Sequence, residues 1–374
     1  MCAHGRTFPI FIKNLRVGKK SHINIRIKDV AERAGVSVGT VDRVIHQRGE
    51  VSPETRKTVL EIIDELQYSP NLLASTLASS RRLSLAILIP RASKENSFWS
   101  EHLKGIKRAG IELAPFGLEL DIFTFSMTDT KDFRVKSDEL LKSRPDCLLL
   151  APVFYQESVH FLGRCRKEKI PFAFIDTPID QFEYISFIGQ NSCQSGAVAA
   201  KLLSLGNKPN STYMVFNITL EKDQLQHLSD REKGFRLFFE NKGDTSEIIT
   251  IDIHGQKQDL IKSSLLSFKP YTEKLKGIFV TGSKVHRVAE VLNQLEMSDV
   301  RLVGYDLVKE NMNYLRKDVI DFLISQQPEE QGYIGINTLF NVLVNKKEVP
   351  VLQSMPIDII TRENLDQYPK CQEI

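Results

Sequence analysis

Arg43 carries a planar guanidinium that can donate two parallel hydrogen bonds, to O6 and N7 of a guanine edge or to a phosphate. Thr40 and Ser37 precede it by three and six residues and offer hydroxyls suited to phosphate oxygens. Such groups act only if a rigid element presents them, and the surrounding stretch IKDVAERAGVSVGTVDRVI (27–45) has the pattern of one. Val30, Ala31 and Ala34 make the small apolar face of a first helix; Gly35, Val36 and Ser37 supply a tight turn; Val41, Val44 and Ile45 form the inner face of a second helix. This is a helix-turn-helix pattern. The outward residues of the second helix, Ser37, Val38, Gly39, Thr40, Arg43, His46 and Gln47, would lie in the major groove of double-stranded DNA. A third helix should follow, with Ser52 as its cap, Pro53 at its first position and Val59, Ile62, Ile63 and Leu66 as its apolar stripe.

From Leu83 onward, nine apolar runs alternate with amphipathic stretches: SLAILIP, LELDIFTF, CLLLAP, FAFID, TYMVFN, IITIDI, GIFVT, RLVGYD and FLIS. Alternation of this kind predicts parallel sheets covered by helices. Nine strands exceed one short doubly wound sheet with its crevice, so two lobes are expected. In open sheets of this class ligands sit beyond the carboxyl ends of strands, which makes the polar residues closing each run the first binding candidates. Asp176 closes FAFID and Asp306 closes VGYD.

The first helices resemble those of the lactose-repressor (LacI) family of bacterial regulators, sharing the pattern of Ile27, Asp29, Val30, Ala31, Ala34, Gly35, Val36, Ser37, Thr40, Val41, Arg43 and Val44. The resemblance covers roughly residues 24–360. It implies an α/β chain: an all-α helix-turn-helix head followed by a two-lobed, periplasmic-binding-protein-like effector domain with parallel sheets. It also implies a short hinge helix over 71–78, with Asn71 and Leu77 meeting the minor groove and Leu77 as the wedge. In the effector domain it assigns ligand contacts to Asn96, Phe98 and Trp99 after the first strand, to Asp176 and Asp306, to Arg231 in SDREKGF, to Asn191, and to either Gln326 or Gln327 in ISQQPEEQG. The effector would then be a neutral sugar or polyol, and the regulator a homodimer on a palindromic operator whose affinity the sugar controls.

Departures from the family pattern bear on specificity. Gly282 and Ser283 follow GIFVT where Asn-Asp is usual, and Asn191 and Ser192 stand where Asp-Asn is usual. Val38 and Gly39 occupy the family's main base-reading pair. Val38 offers only apolar contact, while Gly39 costs about 1 kcal/mol of helix stability relative to Ala, a cost that close backbone approach to DNA would explain. Asp42 replaces a usual Ser; four residues before His46, it is expected to orient that ring.

Composition agrees with this division. Residues 1–82 hold 14 Lys and Arg against 8 Asp and Glu, whereas the remainder holds 36 against 39. The expected parts are a flexible basic arm at 1–24, which an upstream start codon would equally explain, a head at 25–69, a hinge and linker at 70–82, and a two-lobed domain at 83–374. No run approaches the ~20 apolar residues of a membrane helix, and the start does not resemble a secretory signal. Cys2, Cys147, Cys165, Cys193 and Cys371 are five, widely spaced and without a CxxC pair, which argues against disulfides and zinc and for a reducing cytoplasm. A sugar-binding protein serving a transporter is the rival that the basic head and missing signal oppose. A doubly wound enzyme is opposed by the lack of GxGxxG, GxxxxGK[ST] and GxSxG, so no catalytic residue, metal or cofactor is expected. The last residues, NLDQYPKCQEI, show no heptad.

Overall fold

The computed structural model describes residues 25–45, 49–66, 68, 82–93, 97–219, 226–255, 257–268 and 274–368. The arm at 1–24, His46, Gln47, the 71–78 segment with Asn71 and Leu77, Asn96 and the last six residues lie outside the described residues. Contacts divide the chain into two units, Met1–Ser80 and Arg81–Ile374.

The first unit contains α1 (Ile27–Ala34), α2 (Val38–Ile45) and α3 (Pro53–Glu65). Gly35 takes φ of 65°, a left-handed conformation that a residue with a Cβ adopts at a cost. This lets the amides of Gly35 and Val36 return to the carbonyls of Glu32 and Ala31 at 3.2 and 3.0 Å, which closes α1. Ser37 opens α2 by accepting the Thr40 amide at 3.1 Å. Ser52 opens α3 by accepting the Thr55 amide at 3.2 Å, with Pro53 in the first helical position. Val30, Ala31, Val41, Val44 and Val59 are buried between the helices, with Ile62, Ile63 and Leu66 packed against them.

The second unit consists of two lobes, each a six-stranded sheet. Strands β1 (Leu83–Pro90), β2 (Leu118–Phe125), β3 (Cys147–Leu150), β4 (Phe172–Ile175) and β5 (Phe187–Gly189) join β11 (Leu352–Ser354) in the order β11-β5-β4-β3-β1-β2. Strands β6 (Thr212–Thr219), β7 (Glu247–His254), β8 (Leu275–Val280), β9 (Arg301–Tyr305) and β10 (Phe322–Ser325) join β12 (Asp358–Ile360) in the order β12-β10-β9-β8-β6-β7. All nine anticipated runs are strands; β5, β11 and β12 are additional. Among the described residues the pairings are parallel except β10 with β12. The helices are α4 (Phe98–Leu113), α5 (Thr130–Ser143), α6 (Tyr155–Lys167), α7 (Ser192–Ser204), α8 (Gln226–Glu240), α9 (Gln258–Phe268), α10 (Val285–Gln294), α11 (Lys309–Arg316) and α12 (Pro328–Leu343).

Central strands bury side chains on both faces, which is why they read as continuous apolar runs. Along β6, Tyr213 and Val215 join the core under α7 and α8, whereas Met214, Phe216 and Ile218 join the core on the opposite face with Ile261 and Val288. Glycines set two helix pairs in backbone contact. A Cβ on Gly196 would stand 1.8 Å from the Arg231 carbonyl oxygen, and one on Gly234 would stand 1.7 Å from that of Cys193, so α7 and α8 touch directly. Gly105 and Gly332 do the same for α4 and α12, meeting the carbonyls of Glu329 and His102 at 1.8 and 2.3 Å.

The chain crosses between lobes three times: from β5 through Gln190 into α7, from β10 through Gln326 and Gln327 into α12, and from β11 to β12 across 355–357.

Candidate functional site

The carboxyl ends of the two sheets open onto one cavity of about 880 Å³ between the lobes. One lobe contributes Arg91, Trp99, Ser126, Val153 and Asp176; the other contributes Thr219, His227, Arg231, Ser283, His286, Asp306 and Gln326.

Asp176 and Asp306 occupy corresponding places, one residue beyond β4 and β9, and both take left-handed backbone with φ of 69° and 71°. Asp tolerates this region better than most residues, at a cost of order 1 kcal/mol. Partners hold each in place. The Asp176 amide donates to the Gln331 side-chain oxygen at 3.0 Å and to the Ile188 carbonyl at 3.3 Å. The Asp306 amide donates to the Ile324 carbonyl at 3.0 Å, and its own carbonyl accepts from Asn311 at 3.0 Å.

Arg231, on α8, is 3 % exposed. Its guanidinium lies 3.8 Å over the Tyr305 ring and donates to the Thr281 carbonyl at 2.6 Å and to Oε1 of Gln326 at 2.5 Å. The Gln326 amide nitrogen in turn donates to both carboxylate oxygens of Asp306, at 3.0 and 3.1 Å. A cation on one side and a carboxylate on the other fix which way the Gln326 amide points. Burial pushes the Asp176 carboxyl up to about 6, against the opposing pull of Arg231. Burial, reinforced by Arg231, pushes His227 down to about 3, so that ring is neutral at physiological pH. Burial also lowers His286, whose Nδ1 lies 2.9 Å from Asn311 Oδ1. Because Asn311 Nδ2 donates to the carbonyls of Ser283, Tyr305 and Asp306, its Oδ1 must accept, and the neutral His286 ring carries its proton on Nδ1. The cavity therefore mixes a fixed cation, carboxylates and neutral imidazole acceptors beside aromatic surface.

The predicted ligand residues divide. Phe98, Trp99, Asp176, Arg231, Asp306 and Gln326 all line the cavity. Asn191 and Gln327 are not among its lining residues. Asn191 caps α7, accepting the Gln194 amide at 2.9 Å, and Gln327 donates to Asp358 at 2.6 Å, joining two of the crossings. Of the two adjacent glutamines, Gln326 is the one at the cavity. Trp99 is packed at 4.6 Å against the His102 ring and edge-on to Phe98 at 5.2 Å, so one of its faces is already covered. His227 and His286 also line the cavity and are not among the residues predicted from the sequence. His227 stands four residues before Arg231, hence on the same helical face, and that spacing was the available signal.

In the head, Ser37, Val38, Gly39 and Arg43 are exposed and Thr40 is half-buried. The Ser37 and Thr40 hydroxyls lie 2.9 Å apart. Nothing in the head requires a glycine at position 39, since a Cβ there would meet only Ser37 Oγ at 3.7 Å. Asp42 lies near Tyr68, whose hydroxyl pKa is raised by burial and then by that carboxylate.

Among the described residues no helix is long and apolar enough to cross a membrane. The sequence profile described as bacterial regulatory proteins, lacI family, matches residues 26–71, and that of the periplasmic binding protein domain matches residues 86–347. The chain is 30% identical over 220 residues to the HTH-type transcriptional regulator DegA of Bacillus subtilis, a match spanning 58% of this chain and 61% of DegA. It is 29% identical over 336 residues to the HTH-type transcriptional regulator MalR of Streptococcus pneumoniae, spanning 86% of this chain and 94% of MalR. The second unit's fold is shared with a crystal structure from Bacteroides fragilis described as a candidate LacI transcriptional regulator, at a TM-score of 0.69 and 30% identity, covering 77% of this chain and all of that one. With a helix-turn-helix head and a two-lobed binding domain both matched, the chain belongs to the LacI family of bacterial regulatory proteins.

Proposed function

We propose that this chain is a DNA-binding transcriptional regulator that acts as a homodimer, and that a neutral sugar or polyol in the interlobe cavity controls its affinity for a palindromic operator. The observation that carries the reading is the cavity itself: Asp176 from one lobe faces Arg231, Gln326 and Asp306 from the other, so a small ligand touching both must favour one lobe arrangement. Carboxylates and neutral imidazoles accept from hydroxyls, a buried guanidinium donates, and Phe98 and Trp99 provide apolar surface, a set that suits a polyhydroxylated ring. Gly282 and Ser283 line the same wall, so their departure from Asn-Asp bears on which sugar is taken. The homodimer is supported by the head, which has one reading helix and so covers one half-site.

Trp99 is the only tryptophan in the chain, so tryptophan emission, excited selectively over the tyrosines, reports on this cavity alone. Titration with pentoses and hexoses should give a saturable emission change for at least one sugar. The same sugar should shift the anisotropy-measured affinity for a duplex obtained by in vitro selection. A broad panel that leaves DNA affinity unchanged would sink the ligand-controlled reading, and a monomer in sedimentation equilibrium on DNA would sink the homodimer.

A further inference from the structure

Three glutamines link the crossings between the lobes. Gln190, in the first crossing and 4 % exposed, donates to the Ser325 carbonyl at the second crossing at 2.7 Å and to the Pro356 carbonyl at the third at 2.6 Å. Gln331, on α12 and fully buried, accepts the Asp176 amide through its oxygen at 3.0 Å and donates through its nitrogen to the Gln326 carbonyl at 2.9 Å. Gln326 then holds Arg231 and Asp306 through its own side chain. A continuous chain of hydrogen bonds thus runs from Asp176 in one lobe, through Gln331 and Gln326, to Arg231 and Asp306 in the other.

We propose that Gln331, which does not line the cavity, is a positioning residue that couples the ligand-binding groups of the two lobes through the second crossing. The proposal rests on the ligand-cavity reading only for its functional meaning, since the coupling is a property of the unliganded chain. An amide is the side chain that fits here. Its oxygen takes the N–H of a strained Asp176 and its nitrogen takes the free lone pair of the Gln326 carbonyl, whereas a carboxylate could do only the first and an apolar side chain neither. Because Gln331 is fully buried and away from the cavity, a bond broken at its amide is not replaced by water, and the displacement passes on to the next member. Movement of Asp176 on ligand contact is therefore felt at Gln326, and through it at the Arg231–Asp306 pair, without direct contact between the lobes' side chains.

The test is amide hydrogen exchange on the full unliganded chain, with rates corrected for intrinsic exchange. In Gln331→Leu the Asp176 amide should exchange about tenfold faster, and so should the Thr281 and Asp306 amides in the opposite lobe, which Gln331 does not touch. Gln331→Glu provides a pH-dependent version of the same change. The protonated acid can both accept and donate, while the ionised form can only accept, so protection at Thr281 and Asp306 should fall as pH rises while protection at Asp176 persists. Unchanged exchange at Thr281 and Asp306 in Gln331→Leu overturns the proposal. If that variant does not fold, unchanged protection at Thr281 and Asp306 in Gln331→Glu above the pH at which NMR shows the new carboxyl to ionise overturns it instead. Neither outcome depends on finding a sugar, so a failed sugar screen would count against the ligand reading alone.

Discussion

Gly234→Ala and Gly163→Ala are the same chemical change in two helices, and the structure predicts opposite signs for them. At Gly234 a Cβ would stand 1.7 Å from the Cys193 carbonyl oxygen and 2.6 Å from its carbonyl carbon, backbone atoms that cannot rotate away. Restoring a contact of about 3.2 Å requires α7 and α8 to part by roughly 1.5 Å. Overpacking of this kind costs about 1–3 kcal/mol, and the backbone obstruction places it near the upper end. The intrinsic preference of a helix for Ala over Gly returns about 1 kcal/mol, leaving a net loss of about 2 kcal/mol. At Gly163, in α6, no atom lies within 4 Å of the added Cβ, so only the favourable term remains. The two variants should differ by about 3 kcal/mol, or about 5 °C in Tm, in calorimetry or urea unfolding of the full chain. The site should respond as well. Arg231 lies one turn before Gly234, and a shift of α8 by that amount breaks its 2.6 Å bond to the Thr281 carbonyl, so Gly234→Ala should weaken ligand binding and Gly163→Ala should not. Stabilities within about 0.5 kcal/mol of each other would refute the view that this glycine contact sets the position of Arg231.

Three further expectations follow from the same geometry. Asp176, with its carboxyl pushed up to about 6 against about 3.9 unfolded, holds its proton more tightly when folded, so it removes at most about 3 kcal/mol of stability as pH rises from about 4 to about 6. Asp176→Asn should therefore exceed the wild type in unfolding free energy at pH 7.5 and match it near pH 4; a constant difference across that range would contradict the assignment. Gly39→Ala should stabilise the head by up to about 1 kcal/mol, because its Cβ meets only Ser37 Oγ at 3.7 Å, while weakening DNA binding by anisotropy if the helix backbone approaches the bases. Unchanged DNA affinity would remove that explanation for the glycine. Gly282→Asn adds a Cβ whose nearest contact would be Leu228 at an ordinary 3.7 Å, so stability should change by less than about 0.5 kcal/mol while the sugar giving the Trp99 response changes; an unaltered sugar profile would show that position 282 does not select the ligand.

The head was legible because its signals are local. Gly35 at a left-handed position, Ser37 and Ser52 as caps and Pro53 at the first helical position each act within a few residues of where they stand. Seven of the nine anticipated strands are legible for a related reason: burial on both faces leaves a continuous apolar run, whereas the edge strands β2 and β7 show alternation of apolar and polar residues. Strands β5, β11 and β12 were missed because each is three residues long, too short to show a period, and each exists only through its pairing. At Asn191 the local signal is for a helix cap, since Gln194 lies three residues on and its amide donates to the Asn191 side chain.

By itself the sequence determined the order of the parts, the helix-turn-helix and the strand-end carboxylates, since all of these depend on neighbours close along the chain. Tertiary structure decided which of two adjacent glutamines meets the cavity, because left-handed backbone at Gln327, with φ of 53°, turns the chain between them and sends one side chain to Arg231 and the other to Asp358. It also decided that burial lowers the pKa of His227 and His286, and that Gln331, 155 residues along the chain from Asp176, joins that residue to Gln326. Those properties arise from burial and from groups that only the closed fold brings within hydrogen-bond reach, and no spacing along the chain encodes them directly.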